Sequence, residues 1–365
     1  MPGKKVKIGI VGCGGIANAK HIPNLLKDDR VEIRGICEGF APDRARESVE
    51  KFALSACGVC EDVGALLERD DIEVIHICTP NQGHAPLTIR ALDAGKHVMC
   101  EKPMATSVAD AERMVAVAEK AAQSGVKLTI CANNRFRADS WYLKELCREG
   151  VLGDIYYAKA NSLRRRGVPT WGAFLNKEAQ GGGPVIDLGT HSLDLALWMM
   201  DNYRPSIVLG RTYNYLGKQT SPANPYGNWR AEDFEVEDFG VGLITMENGA
   251  TVLLEASWLL NAREEAGAAK ITLCGTKGGA DMDDGLTING EQAGRTYDRK
   301  IILDPPAIPF YGIQDAYGPP LEIRTWIDAV AGDKDPVVLP RQMLVVMQIV
   351  EAIYRSAETG QPVLF

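Results

Sequence analysis

Apolar residues in the first third of the chain fall into short runs rich in valine and isoleucine. Between them lie longer stretches where apolar positions recur at helical spacing. Val6–Val11, Val31–Cys37, Val74–Cys78, His97–Cys100 and Lys127–Cys131 read as strands; Ile16–Leu26, Pro42–Phe52, Val63–Glu68, Ala85–Ala94 and Val108–Ser124 read as helices. Apolar strands alternating with helices predict a parallel sheet covered on both faces. After Arg137 the texture changes. A helix over Ser140–Glu149 is followed by longer alternating runs, Ile155–Leu163, Ser206–Tyr215, Phe239–Met246, Ala250–Trp258 and Lys270–Cys274, some joined by turns such as Asn248-Gly249. These predict a large, mostly antiparallel open sheet in an α+β domain. Helices are expected at Pro184–Met200, Leu321–Ala331 and Arg341–Thr359. The two textures divide the chain into residues 1–132 and 133–365, as its length of 365 residues also suggests. Lys218–Asp233, rich in Pro, Asn, Gly and aromatics, is the candidate for a long functional loop or lid.

Composition narrows the function classes. The net charge is −8 and the basic residues form no long run, so no surface for nucleic acid is expected. The start of the chain lacks the pattern of a secretory signal, and even Val185–Met200 is interrupted by Asp187, His191 and Asp194. No membrane association is expected. The cysteines number nine, mostly inside apolar runs, which fits buried thiols in a reducing, cytoplasmic setting. Cys57-Gly58-Val59-Cys60 has redox or half-zinc spacing, but no second pair completes a metal site and it reads as two unlinked thiols in a linker.

Gly12-Cys13-Gly14-Gly15-Ile16-Ala17 is G-x-G-x-x-A at a strand-to-helix turn. Gly12 permits the turn, Gly14 lets the backbone approach a pyrophosphate, and Ala17 allows close helix packing, which together predict a doubly wound Rossmann domain. Gly15 and Ile16 complete the expected cofactor surface. Glu38, closing the second strand, is placed to accept hydrogen bonds from ribose hydroxyls and to repel a 2′-phosphate, so NAD is favoured over NADP, although Arg44 and Arg46 lie near in sequence. The fourth strand empties into Thr79-Pro80-Asn81-Gln82-Gly83-His84, where ligands of such sheets bind; Thr79 and Asn81 could equally cap the next helix. The next strand ends at Glu101-Lys102-Pro103, whose lysine points either to solvent or into the crevice.

Further on, Gly181-Gly182-Gly183 leads into a helix carrying Asp187, His191 and Asp194 at i, i+4 and i+7, on one face. An imidazole flanked by carboxylates suits a general base; a packed histidine satisfied by an aspartate is the alternative. These motifs together resemble the glucose–fructose oxidoreductase / inositol dehydrogenase family (Gfo/Idh/MocA) through nearly the whole chain. The resemblance implies that Lys102, Asp187 and His191 are the catalytic set, that Thr79, Pro80, Asn81, His84, Glu101 and Lys102 join the glycine turn in binding the cofactor, and that no metal is needed. It implies a sugar or polyol substrate for the second domain, with His191 taking a hydroxyl proton and Lys102 stabilising the alkoxide. Asn133 and Arg135 at the crossover between domains, and Arg165 and Trp171 before the glycine run, are the further substrate candidates. The segment Arg165–Gly183 resembles a subgroup acting on pyranosides. Some relatives use tightly bound NAD to cleave glycosides by transient oxidation, and others are sensors without turnover; retention of all three catalytic residues argues against the latter. A homodimer or homotetramer, formed through the open face of the second sheet, is the expected assembly.

Overall fold

In the computed structural model, residues 5–219, 221, 223–263, 269–303, 317–332 and 334–365 are described. They form two compact units, Met1–Asn133 with Ala316–Leu344, and Asn134–Asp315 with Val345–Phe365.

The first unit is a six-stranded sheet in the order β3-β2-β1-β4-β5-β6, every pair parallel. Its strands are β1 Val6–Val11, β2 Val31–Cys37, β3 Gly58–Cys60, β4 Val74–Ile77, β5 His97–Cys100 and β6 Leu128–Ile130. Ile8, Ile10, Ile36, Val74, Ile75 and Val98 are fully buried, as expected of strands covered on both faces. The segment read as a linker around the two close cysteines is instead β3. It was hidden because it is three residues long, exposed, and has glycine first; parallel pairing with Gly35–Cys37 makes it a strand. All nine cysteines are free thiols.

The helix expected at Leu321–Ala331 forms as Pro319–Ala331, yet belongs to the first unit rather than the second. Its Ile323, Trp326, Ile327 and Ala329 complete the core around β1 and β2. Sequence order suggested the opposite placement, and burial of this apolar face decided it.

The second unit is built on nine strands in the order β14-β13-β12-β11-β7-β10-β9-β8-β15, with one parallel pair, β7 with β10. These are β7 Ile155–Leu163, β8 Pro205–Tyr213, β9 Phe239–Met246, β10 Thr251–Ser257, β11 Lys270–Gly275, β12 Gly279–Asp281, β13 Thr287–Gln292, β14 Arg295–Lys300 and β15 Val363–Leu364. One face buries Val208, Ile244, Val252, Leu254, Ala158 and Leu273. Pro340–Thr359 lies so close that a side chain at Gly210 would meet the Ile353 backbone at 2.7 Å, and Ser356 Oγ accepts the Gly210 N–H. The opposite face carries exposed Ile207, Leu209 and Leu243. No described helix is long and apolar enough to cross a membrane.

Candidate active site

The candidate cofactor site lies within the first unit, at the carboxyl ends of β1, β2, β4 and β5. Gly12 sits at φ +87°, and a side chain there would strike the Cys78 and Thr79 backbone at 2.8–2.9 Å, so the turn requires glycine. Among the described residues nothing stands within 4 Å of where side chains of Gly14 and Gly15 would project. The turn is therefore closed beneath and open above, a cradle for a pyrophosphate. Ala17 is fully buried and Ile16 is exposed at the rim. The expected single helix Ile16–Leu26 is a π-turn, Ala17–His21, continued by Ile22–Leu25.

Glu38 joins β2 to this turn: its carboxylate accepts the Cys13 N–H at 2.9 Å and the Phe40 N–H at 3.1 Å. It thus holds the glycine turn and presents a carboxylate at the place where a ribose would be recognised. Thr79 Oγ1 is buried with no hydrogen-bond partner among the described residues, a polar atom that a bound ligand could satisfy. Cradle, carboxylate and orphaned hydroxyl together fit a dinucleotide.

Two residues expected to touch the cofactor are tied into the protein by hydrogen bonds. His84 is buried, with Nδ1 2.7 Å from the Pro103 carbonyl oxygen and Nε2 2.9 Å from that of Thr79, so it ties the loop after β4 to the loop after β5. The Glu101 carboxylate turns inward, where it accepts from Lys20 Nζ at 2.7 Å, meets His21 Nε2 at 2.9 Å and receives the Lys102 N–H at 3.2 Å. Burial would raise its pKa, but Lys20 and His21 hold it well below the usual carboxylate range. Lys102 follows directly, half-buried. Lys20 also pairs with Glu322 at 2.9 Å. Two buried carboxylates thus share one ammonium: Glu101 keeps its charge, whereas burial pushes the Glu322 carboxyl up. His21, Glu101 and Cys131 place ligand atoms within 4.8 Å of one another, a grouping that spacing did not reveal. Lys20 already supplies the cation there.

The second unit holds the remaining predicted site residues. The expected helix Pro184–Met200 is again a π-turn, Val185–Gly189, running into an α-helix, Thr190–Met200, with Asp187 on the turn and His191 just past the junction. Such turns are frequent at functional sites because they shift which side chains share a face. Asp187 Oδ2 accepts the indole N–H of fully buried Trp258 at 3.0 Å. Glu237, absent from the sequence reading, caps the start of this segment. Its carboxylate accepts the N–H groups of Gly183 at 2.9 Å and Val185 at 3.0 Å and the Tyr354 hydroxyl at 2.8 Å. The glycine run permits this: a side chain on Gly183 would strike the Glu237 carbonyl, and one on Gly182 the Tyr354 hydroxyl.

Asp194 does not flank the histidine. It forms a buried two-pronged pair with Arg135, Nε to Oδ2 at 2.9 Å and Nη2 to Oδ1, while Nη2 also reaches Tyr203 at 3.2 Å. Arg135, expected to meet substrate, is a fully buried structural residue. Asn133 is half-buried on the preceding turn, Asn133–Phe136. Of the three consecutive arginines, Arg164 donates to the Gly167 carbonyl and Arg166 to Asn261; among the described residues the exposed Arg165 guanidinium makes no hydrogen bond or ion pair. Trp171 is 54% exposed, against Phe174 and Tyr226. The described residues of Lys218–Asp233 carry no strand or α-helix and close in a 3-10 turn, Ala231–Asp233; they are anchored, since Asn224 bonds both the N–H and the C=O of Val168 and buried Trp229 donates to Gly217 at 2.8 Å.

A Rossmann sheet with this cradle in one unit, and an acid and a histidine on one braced turn in the other, fit an NAD-binding oxidoreductase. Residues 6–127 match the oxidoreductase family with NAD-binding Rossmann fold, and residues 141–281 match the GFO/IDH/MocA C-terminal domain. The chain is 33% identical over 362 residues to D-glucoside 3-dehydrogenase of Escherichia coli (strain K12), covering 99% of this chain and 97% of that one. An oxidoreductase domain protein from Kribbella flavida superposes with a TM-score of 0.85 at 26% identity, covering 99% of each chain. Levoglucosan dehydrogenase in complex with NADH has the same fold, with a TM-score of 0.81 at 22% identity over 99% of each chain. The chain belongs to the Gfo/Idh/MocA family of oxidoreductases.

Proposed function

We propose that this enzyme oxidises, or in reverse reduces, one hydroxyl-bearing carbon of a pyranose-type sugar, with Lys102, Asp187 and His191 as its catalytic set. The observation that carries the reading is the braced turn. Glu237 fixes its start, Trp258 fixes Asp187, and His191 follows one helical turn later. The relative from Escherichia coli, named for a glucoside, supports the substrate class. His191 takes the hydroxyl proton, and the Lys102 ammonium stabilises the oxyanion that forms. Asp187 orients the imidazole or a neighbouring hydroxyl. Bound NAD supplies the hydride acceptor. On the protein side, Gly12, Gly14, Gly15, Ile16 and Ala17 form the pyrophosphate cradle, Glu38 selects for the unphosphorylated ribose, and the Thr79-Pro80-Asn81 loop borders the cofactor.

The test is turnover of glucosides, free sugars and inositols with NAD and with NADP, following NADH formation and aglycone release together. Accumulating NADH with NAD preferred is expected. Aglycone release without net NADH would identify glycoside cleavage instead, and preference for NADP would refute the role given to Glu38.

We further place the enzyme in the cytoplasm, where nine free thiols persist. It assembles with copies of itself through the open face of the second sheet, where Leu209, Leu243 and Leu253 stand side by side across β8, β9 and β10. Leu243→Glu should lower the oligomeric state in sedimentation; an unchanged state would place the contact elsewhere.

A further inference from the structure

Trp171 and Tyr226 come from distant loops, yet their rings meet edge to face at 5.0 Å and 87°, while remaining 54% and 45% exposed. Large apolar rings left in water forgo the burial that usually holds them in place. Here hydrogen bonds from side chains to backbone supply the rigidity. The Thr170 hydroxyl donates to the Tyr226 carbonyl, and the Asn224 side chain clamps Val168 through both its N–H and its C=O. The corner is thus fixed before any ligand arrives. It is also continuous with the chemistry: Trp171 packs on Phe174 at 5.8 Å, Phe174 on Trp258 at 6.2 Å, and Trp258 donates to Asp187 at 3.0 Å. Two ring-to-ring steps therefore separate the exposed corner from the indole that holds the acid. Arg165, six residues before Trp171 and uncommitted among the described residues, adds donors for hydroxyl groups on the same loop.

We propose that Trp171 and Tyr226 form a second-ring subsite, stacking on the cyclic aglycone of a glycoside whose sugar ring lies at Asp187 and His191. The preferred substrate class is then glycosides with a ring as aglycone, such as aryl glycosides and disaccharides, over free monosaccharides and methyl glycosides. This rests on the sugar-oxidising reading above. The right-angled rings suit it, because one offers a π face to an aromatic ring or to the C–H face of a pyranose while the other borders it.

The test compares phenyl and methyl glucosides in the full-length enzyme, by steady-state kinetics with NAD and by calorimetric titration of the NADH-loaded protein. The wild type should prefer the phenyl glucoside in kcat/KM and in affinity. Trp171→Ala and Tyr226→Ala should each lower that preference about tenfold, chiefly through KM, and Trp171→Phe should keep most of it. A wild type with no preference for the two-ring ligand overturns the subsite, as does an equal loss for both ligands in the variants. If neither glucoside is turned over but the binding preference exists and falls in the variants, the subsite stands and the dehydrogenase reading fails. Concentration-dependent association lost in Trp171→Ala, without a change in ligand preference, would assign the rings to a protein contact and overturn the proposal.

Discussion

Asp187 is placed by residues that never need to touch substrate. Trp258 donates to one of its oxygens, and Glu237 gathers two backbone N–H groups at the start of its turn together with the Tyr354 hydroxyl. A glutamine at 237 cannot satisfy all three donors, because its amide nitrogen faces one of them. Glu237→Gln should therefore cost about 1–3 kcal/mol of stability in urea unfolding and lower kcat without impairing NADH binding. Unchanged stability would show that the cap is dispensable. Glu237 was illegible in the sequence because its partners lie more than fifty positions away and it sits in an ordinary acidic run, Glu235-Val236-Glu237-Asp238. The glycine run was the available signal. Three glycines before a helix mark a place where something comes close, although not what. Arg135 shows the opposite failure: its chemistry suggested a ligand, but its partner Asp194, 59 residues on, occupies the guanidinium. Lys102, Asp187 and His191 stand out through the resemblance of their motifs to the family, because spacing alone leaves a solvated lysine and a packed histidine open.

At the scale of elements, the alternating periodicities revealed strands with two covered faces and strands with one, so most of both sheets was legible. The departures have local causes. β3 is too short for any period, β12 to β14 lie among polar residues, and two expected α-helices open as π-turns, which conserve apolar spacing poorly. The helix Pro319–Ala331 returns to the first unit and brings Glu322 to Lys20, a pairing of residues some three hundred positions apart. The sharing of one ammonium by two buried acids yields a pair of opposite expectations. Lys20→Met leaves Glu101 and Glu322 without their cation and should cost about 3–5 kcal/mol. Glu322→Gln removes the surplus carboxyl and should be neutral or stabilising at neutral pH. Urea midpoints of the two variants check this, and equal destabilisation by both would contradict the asymmetry between the acids.

For the molecule as a whole, the buried histidines set an acid limit. Burial holds His21, His76 and His84 below the ordinary value of 6.5, and half-buried His97 is lowered for the same reason. In the folded chain these rings stay neutral at pH values where the unfolded chain would protonate them. The unfolded state therefore binds more protons, so stability is full above pH 6.5 and falls as pH drops through that value towards the lowered folded ones. The slope reaches about 1.4 kcal/mol per pH unit for each fully buried ring. Unfolding of the first unit should become markedly easier between pH 7 and pH 5, as ~two-proton or steeper linkage, and His76→Asn should flatten the dependence. Stability independent of pH across that interval would refute it. Glu101 adds a second decline at lower pH, because its lowered carboxyl must be protonated as the charge network is lost.

The central claim, hydride transfer at a sugar hydroxyl by Lys102 and His191 with NAD, is tested most directly by single-turnover NADH formation on a glucoside. The comparison is between the wild type, Lys102→Met and His191→Asn, with NADH affinity measured alongside. Rapid NADH formation is expected in the wild type, with a fall of about a hundredfold or more in either variant and NADH binding within a few-fold of the wild type for His191→Asn. NADH formation at the wild-type rate in both variants would contradict it.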